Sequence, residues 1–140
     1  MYLLDTNVLS ELMKSEPNTN VMEWVDQQAE QYLFYSSVTK TEILWGIEQL
    51  PEGKRKSGLA LAAMDVFAFF SGHCFDFGCS TASMYVEVAG CSKAIGRPMS
   101  REDIMIAAIA REQKLTLVTR NIADFDFLPE LELKNPWLSR

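Results

Sequence analysis

Four carboxylates stand where this chain could use them for chemistry: Asp5, Glu42, Asp103 and Asp124. Each falls at the start or end of an expected element rather than along a charged face. Four such groups on one rim repel one another, and their pKa values climb unless cations are present. Hard oxygen ligands of this kind suit Mg²⁺ or Mn²⁺. A shared cation site is what metal-assisted phosphodiester hydrolysis needs, because the ions generate hydroxide and stabilise the attacking and leaving oxygens. The chain has 19 acids in all, so most must be solvated, and position decides which of them matter.

Each of the four also has an ordinary structural reading. Asp5 ends the short apolar run Tyr2-Leu3-Leu4 and precedes an amphipathic helix pattern. It could cap that helix, although Thr6 or Asn7 could do so instead. Glu42 closes Thr39-Lys40-Thr41-Glu42, which has the T-x-x-E form of a capping box. Asp103 lies three residues after Ser100, in a first helical turn where the macrodipole favours an acid by roughly 0.3–1 kcal/mol. Glu102 could supply that effect equally well. Ile106, Ala107 and Ala110 follow Asp103 at i+3, i+4 and i+7, which places it on a buried stripe. A carboxylate there has to be paired or bind a metal. Asp124 sits in the loop after an apolar strand, near Thr119 and Asn121, with Asp126 as a weaker rival.

These residues have to be positioned by alternating strands and helices. Strands are expected over 2–4, 31–36, 74–77 and 115–119, with a last edge strand over 131–133. Helices are expected over 7–14, from Asn18 or Thr19 onward with Val21, Trp24 and Val25 inward, and over 39–50, 56–70 and 101–113. One more runs from a Ser80 cap to Ile95, where Gly96 stops it in the left-handed conformation. The alternation implies a single α/β domain over residues 1–140, with a mostly parallel central sheet covered on both faces. An acid after the first strand would then face the crevice at the carboxyl ends of the strands.

Composition narrows the function classes. The chain has 140 residues, 48% of them hydrophobic, which suits one folded core. No apolar run approaches the roughly 20 residues of a membrane span, and no signal-peptide pattern is seen. Cys74, Cys79 and Cys91 form no C-x-x-C pair and read as reduced thiols of a cytosolic protein. His73 is the one histidine, which argues against a histidine-rich metal site and a Ser-His-Asp triad. The net charge of −6 argues against a simple DNA-binding module. It remains compatible with a nuclease that works through cations and a few local arginines.

The ordered set Leu4-Asp5-Thr6-Asn7, Ser37-Val38-Thr39 with Glu42 and Gly46, Gly96-Arg97, Asp103 with Ile106-Ala107-Ala108, Leu117-Val118-Thr119-Arg120-Asn121 and Asp124-Phe125 resembles the PIN-domain ribonucleases. It is most similar to the VapC-type toxins of bacterial toxin–antitoxin pairs. The resemblance implies a PIN-like three-layer α/β/α fold and a metal-dependent endoribonuclease. By resemblance, Asp5 and Asp103 ligate Mg²⁺ (or Mn²⁺) most directly, and Glu42 and Asp124 complete the site. Thr119 and Asn121 look like the family's polar support at the substrate. Arg97, Arg101 and Arg120 are placed to hold the RNA backbone, and Lys40 is a weaker candidate for a phosphate.

The resemblance further implies an RNA substrate, often tRNA, a homodimer, and a small VapB-like antitoxin, through which alone DNA is reached. Leu12, Met13, Trp24 and Trp45 would form an apolar groove for the antitoxin's tail, although core packing accounts for them as well. Two rival families place an Asp after the first strand. Haloacid-dehalogenase-like phosphatases need a second Asp where Asn7 stands, and receiver domains need paired acids where Thr6 and Asn7 stand. The remaining alternative is a catalytically silent PIN-like module that only binds partners.

Overall fold

A computed structural model describes residues 1–139. Its elements alternate as expected: β1 (Tyr2–Leu4), α1 (Thr6–Leu12), α2 (Thr19–Gln27), β2 (Leu33–Ser36), α3 (Ser37–Glu48), α4 (Lys54–Phe69), β3 (Cys74–Phe75), α5 (Thr81–Ile95), α6 (Arg101–Gln113), β4 (Thr116–Val118) and β5 (Leu133–Lys134). The strands form one sheet in the order β3-β2-β1-β4-β5, and every neighbouring pair is parallel. All strands therefore end on the same rim. The order runs outward from β1 in both directions, so the loops leaving β1 and β4 part to opposite faces of the sheet. That divergence opens the crevice in which ligands of open α/β sheets bind.

Side chains alternate across β1, with Leu3 facing one core and Leu4 the other. Leu3 and Leu117 pack against α5 and α6 through Val88, Ile106, Ala107 and Ile109. Leu4 and Val118 pack against Val8 and Leu9 of α1, Val21 and Trp24 of α2, and Ala63 of α4. Helix α3 sits at the seam and gives Val38 to the first core and Ile43 to the second. Four consecutive residues of α6, Ala107 to Ala110, are at most 1% exposed, because this helix is enclosed by the sheet on one side and α5 on the other. Among the described residues, no helix is long and apolar enough to cross a membrane.

Several element ends differ from the sequence expectation, each for a local reason. Helix α1 begins at Thr6 and is capped by Asp5, whose extended backbone lets Oδ1 accept the Thr6 N–H. Residues Glu30–Tyr32 form a 3-10 turn, so the aromatic run is strand only from Leu33. Helix α3 starts at Ser37, and its cap is Ser36, which accepts the Thr39 N–H. Thr39 and Glu42 thus lie inside the helix and do not form a capping box. Ser80 makes no capping bond to α5; Thr81 Oγ1 accepts the Gly78 N–H instead. The edge strand is Leu133–Lys134, the pair that matches Leu117 and Val118 in register. Gly96 does end α5 at φ 75, where the absence of a Cβ makes the left-handed turn accessible. All three cysteines are free thiols.

Candidate functional site

Asp5 closes β1 at the sheet's rim and is only 4% exposed. Its carboxylate takes three neutral donors. Oδ1 accepts the Thr6 N–H at 2.8 Å, while Oδ2 accepts the Thr119 hydroxyl at 2.8 Å and Asn7 Nδ2 at 3.3 Å. The Thr119 hydroxyl has little freedom to turn elsewhere. Its oxygen already accepts Asn7 Nδ2 at 3.2 Å and the Asn121 N–H at 3.1 Å, so its single proton goes to Asp5. Burial nevertheless outweighs these donors and raises the Asp5 pKa, with the Asp124 charge adding to the rise.

A second hydroxyl relay holds Glu42. Thr6 Oγ1 donates to Glu42 Oε1 at 2.6 Å and lies 3.0 Å from Thr39 Oγ1. Because the Thr6 proton is spent on Glu42, the fully buried Thr39 must be the donor in the second contact. Burial lifts the Glu42 pKa and the neighbouring Asp5 and Glu102 charges push the same way, while the Thr6 hydrogen bond opposes them. Asp103 enters from the first turn of α6, whose start is fixed by Ser100 Oγ accepting the Asp103 N–H at 3.1 Å. Its carboxyl is pushed up to about 6, first by burial and then by the charges of Asp5, Asp124 and Glu42.

Asp5, Glu42 and Asp103 line one open cleft of about 440 Å³, together with Thr6, Asn7, Ser10, Glu11, Lys14, Arg120, Asn121 and Trp137. Asp124 ends a 3-10 turn (Ile122–Asp124) and is exposed. It reaches the others through its charge rather than by lining the cleft. Among the described residues, none of the ion pairs involves any of the four acids. Nor do three His, Cys, Asp or Glu side chains stand close enough to enclose an ion as a ready-made ligand set. The carboxylates therefore flank a cleft, uncompensated. The donor chemistry of the set, and the raised proton affinities of Asp5, Glu42 and Asp103, fit a hard divalent cation.

The predicted substrate contacts fare unevenly. Thr119 is fully buried, so it orients Asp5 and does not meet a substrate. Asn121 lines the cleft and braces Thr119 through its backbone N–H. Arg120 lines the cleft as expected. Arg97 does not: it pairs with Asp126 at 3.1 Å, donates to the Ala123 carbonyl and stacks on Phe127. It thereby ties down the loop that carries Asp124. Arg101 borders a separate apolar cleft with Phe77 and Val86, and Lys40 lies over the Phe67 ring. The four residues of the expected apolar groove do not form one groove. Trp24 is buried against Tyr2, and Trp45 borders a different cleft with Phe77 and Met105.

Sequence alone did not point to Glu11, Lys14 and Trp137 as cleft residues. Glu11 is a buried acid that accepts Lys14 Nζ and the Asn18 N–H, both at 2.9 Å. Burial alone would raise its pKa, but these bonds and the Lys14 and Arg120 charges bring it below its ordinary value. The i, i+3 spacing of Glu11 and Lys14 was a visible signal. Trp137 gave none, because the turn that brings it to the cleft is made by long-range contacts.

Comparison with known proteins agrees with this geometry. A PIN domain match covers residues 2–128. Toxin FitB of Neisseria gonorrhoeae is 32% identical over 98% of this chain and 99% of its own length. VapC ribonuclease Y4jK of Sinorhizobium fredii is 31% identical over 98% of both chains. The solved structure of FitAB bound to an IR36 DNA fragment superposes with a TM-score of 0.90 at 30% identity, covering 100% of this chain and 98% of that one. With its sheet order, its rim of acids and these relatives along nearly its whole length, the chain belongs to the PIN-domain family.

Proposed function

We propose that this chain is a VapC-type toxin, a divalent-metal-dependent endoribonuclease that hydrolyses RNA phosphodiesters at Asp5, Glu42, Asp103 and Asp124. One observation carries the reading. Carboxylates from β1, α3 and α6 line a single cleft with no cation paired to them among the described residues. The relatives named as a toxin and as a VapC ribonuclease support it.

Asp5 and Asp103 would hold Mg²⁺ or Mn²⁺, with Glu42 and Asp124 completing the acidic set. The bound ion supplies Lewis acidity toward the phosphodiester. The rest is done by the chain. Thr119, Asn7 and the Thr6 N–H fix both oxygens of Asp5. Thr6 and Thr39 aim Glu42. The Asp103 carboxyl, pushed up to about 6 by burial and its neighbours, would be held ionised with a cation bound.

The same reading gives the protein a small antitoxin as partner, a homodimeric state and a place in the cytoplasm. Single-stranded or structured RNA, tRNA included, is the substrate class, and DNA is reached only through the antitoxin. The similar FitAB structure, which is bound to a DNA fragment, supports a DNA-associated complex. Two interfaces need two surfaces, and two apolar faces lie open. One carries Val86 beside Phe77 and Met105, and the other carries Leu61 and Met64 of α4.

The test is cleavage of total RNA by the antitoxin-free protein with Mg²⁺ or Mn²⁺. Asp5→Ala and Asp103→Ala should each abolish it. Cleavage that survives both changes, or no cleavage with either ion, overturns the proposal.

A further inference from the structure

Arg120, Lys14 and Trp137 line the same cleft as the acids, and the nuclease reading gives no role to Trp137 or Lys14. Arg120 projects its guanidinium over the Trp137 ring, 5.2 Å from the centroid, within range of a cation–π attraction. Trp137 is held at both ends of its own backbone. Its N–H donates to Asn135 Oδ1 at 3.0 Å, and its carbonyl accepts Asn20 Nδ2 at 2.8 Å. The backbone N–H of Arg120 donates to Asn7 Oδ1 at 3.2 Å, and Asn7 also touches Asp5 and Thr119. Arg120 is thus registered against the acidic centre at its backbone and against Trp137 at its side chain. Lys14, whose side chain is 61% exposed and pairs with Glu11 at 2.9 Å, flanks the same cleft. Trp137 lies beyond the PIN match, which ends at residue 128.

A chain of net charge −6 with an acidic cleft repels a polyanion unless cations are fixed nearby. We propose that Trp137 holds the Arg120 guanidinium at the rim of the acidic cleft, where Arg120 and Lys14 grip a phosphate of the RNA strand beside the one to be cleaved. Arg120 and Lys14 are the binding groups, and Trp137 is a positioning residue. This rests on the nuclease reading, because RNA is taken as the ligand.

The experiment measures binding of a fluorescent single-stranded oligoribonucleotide to the full chain in a non-cleaving Asp103→Asn background, over a series of salt concentrations. KM and kcat for cleavage are measured separately with Asp103 intact. Arg120→Ala should weaken binding about tenfold, as expected for a lost charge-assisted contact. It should also flatten the slope of log K against log salt by about 0.7, one single-strand phosphate contact. Trp137→Leu, which keeps apolar bulk but not the ring, should do the same. Trp137→Phe should restore binding to within about twofold. Adding Trp137→Leu to Arg120→Ala should cost nothing more, since both act through one contact. In cleavage, KM should rise while kcat changes little.

A Trp137→Leu protein that melts earlier yet binds with an unchanged salt slope overturns the proposal, as does an additive double variant. No binding of RNA by the parent protein overturns it too. The two readings fail separately. Binding that follows this pattern without cleavage sinks the nuclease reading alone, whereas cleavage with variants that bind normally sinks the clamp alone.

Discussion

Thr119 donates its hydroxyl proton to Asp5 across 2.8 Å, although 114 positions separate the two residues. The bond joins the ends of β1 and β4, the two strands at which the sheet order turns. Groups that orient metal-binding side chains commonly contribute 10–100-fold to metal affinity or activity. Thr119→Val keeps the shape and removes the donor. It should lower RNA cleavage by about 10–100-fold and raise the Mg²⁺ concentration needed for half-maximal rate. A magnesium titration indistinguishable from that of the parent protein would remove Thr119 from the site.

Asp103 should make the metal-free protein less stable as pH rises. Its folded pKa is about 6 against an ordinary 3.8. Between those values the folded state binds the extra proton, so stability falls as pH rises through the window and stays low above it. Asp103→Asn should remove this slope and stabilise the metal-free protein at pH 7 by on the order of 1 kcal/mol, discounted for partial exposure. Urea denaturation at pH 4.5 and 7 measures both quantities. A variant no more stable than the parent at pH 7 contradicts the assignment.

Divalent ions should act in the opposite sense. A ligand that binds only the folded state raises stability with its concentration, and it competes with the proton on Asp103. Millimolar Mn²⁺ should therefore raise the melting temperature by several degrees at pH 7.5 and far less at pH 5. Asp103→Asn should abolish most of the difference. An equal rise at both pH values would place the ion elsewhere.

The cap of α3 offers a stability test that separates two readings of Glu42. Ser36 accepts the Thr39 N–H at 3.2 Å, so Ser36→Ala should cost about 1 kcal/mol. Glu42→Gln removes no capping bond and should leave stability unchanged or slightly higher while reducing cleavage. If Glu42→Gln costs as much as Ser36→Ala in a thermal melt, Glu42 is a capping residue after all.

The Val86 face predicts the oligomeric state. Val86 is 67% exposed next to Phe77, Tyr85 and Met105, an apolar patch that a monomer has little reason to display. Val86→Asp should convert a dimer into a monomer in light scattering, with RNA cleavage reduced only as far as dimerisation supports it. A dimer that survives the change would shift the interface to α4 and its exposed Leu61 and Met64.

That Asp5, Glu42 and Asp103 meet at one cleft was legible from type and position in the chain, whereas Asp124 does not line it. Asp5 follows an apolar run, and Asp103 heads a buried stripe whose Ile106, Ala107 and Ala110 are indeed at most 1% exposed. The parallel sheet was legible for the same local reasons. What stayed hidden depends on distant partners. Asp5 looked as though it could leave the capping of α1 to Thr6 or Asn7; it is the cap, because the same carboxylate can accept the Thr6 N–H and still face the cleft. Arg97 does not line the cleft, because Asp126 and Phe127, distant in sequence, hold it. Trp24, on the inward stripe expected with Val21 and Val25, is core, whereas Trp45 is 61% exposed.

The parallel pairing of β1 with β4 also bears on how the protein is made. Tyr2, Leu3 and Leu4 find their β4 partners only at residues 116 to 118, and Asp5 meets its hydroxyl donor one residue later. Pairings of such long sequence separation form slowly, since the loop entropy is lost before the contacts repay it. A nascent chain still short of Thr119 can aim Glu42 through Thr6 and Thr39, but Asp5 lacks its hydroxyl donor. The acidic rim is thus completed only once β4 has paired with β1, late in translation.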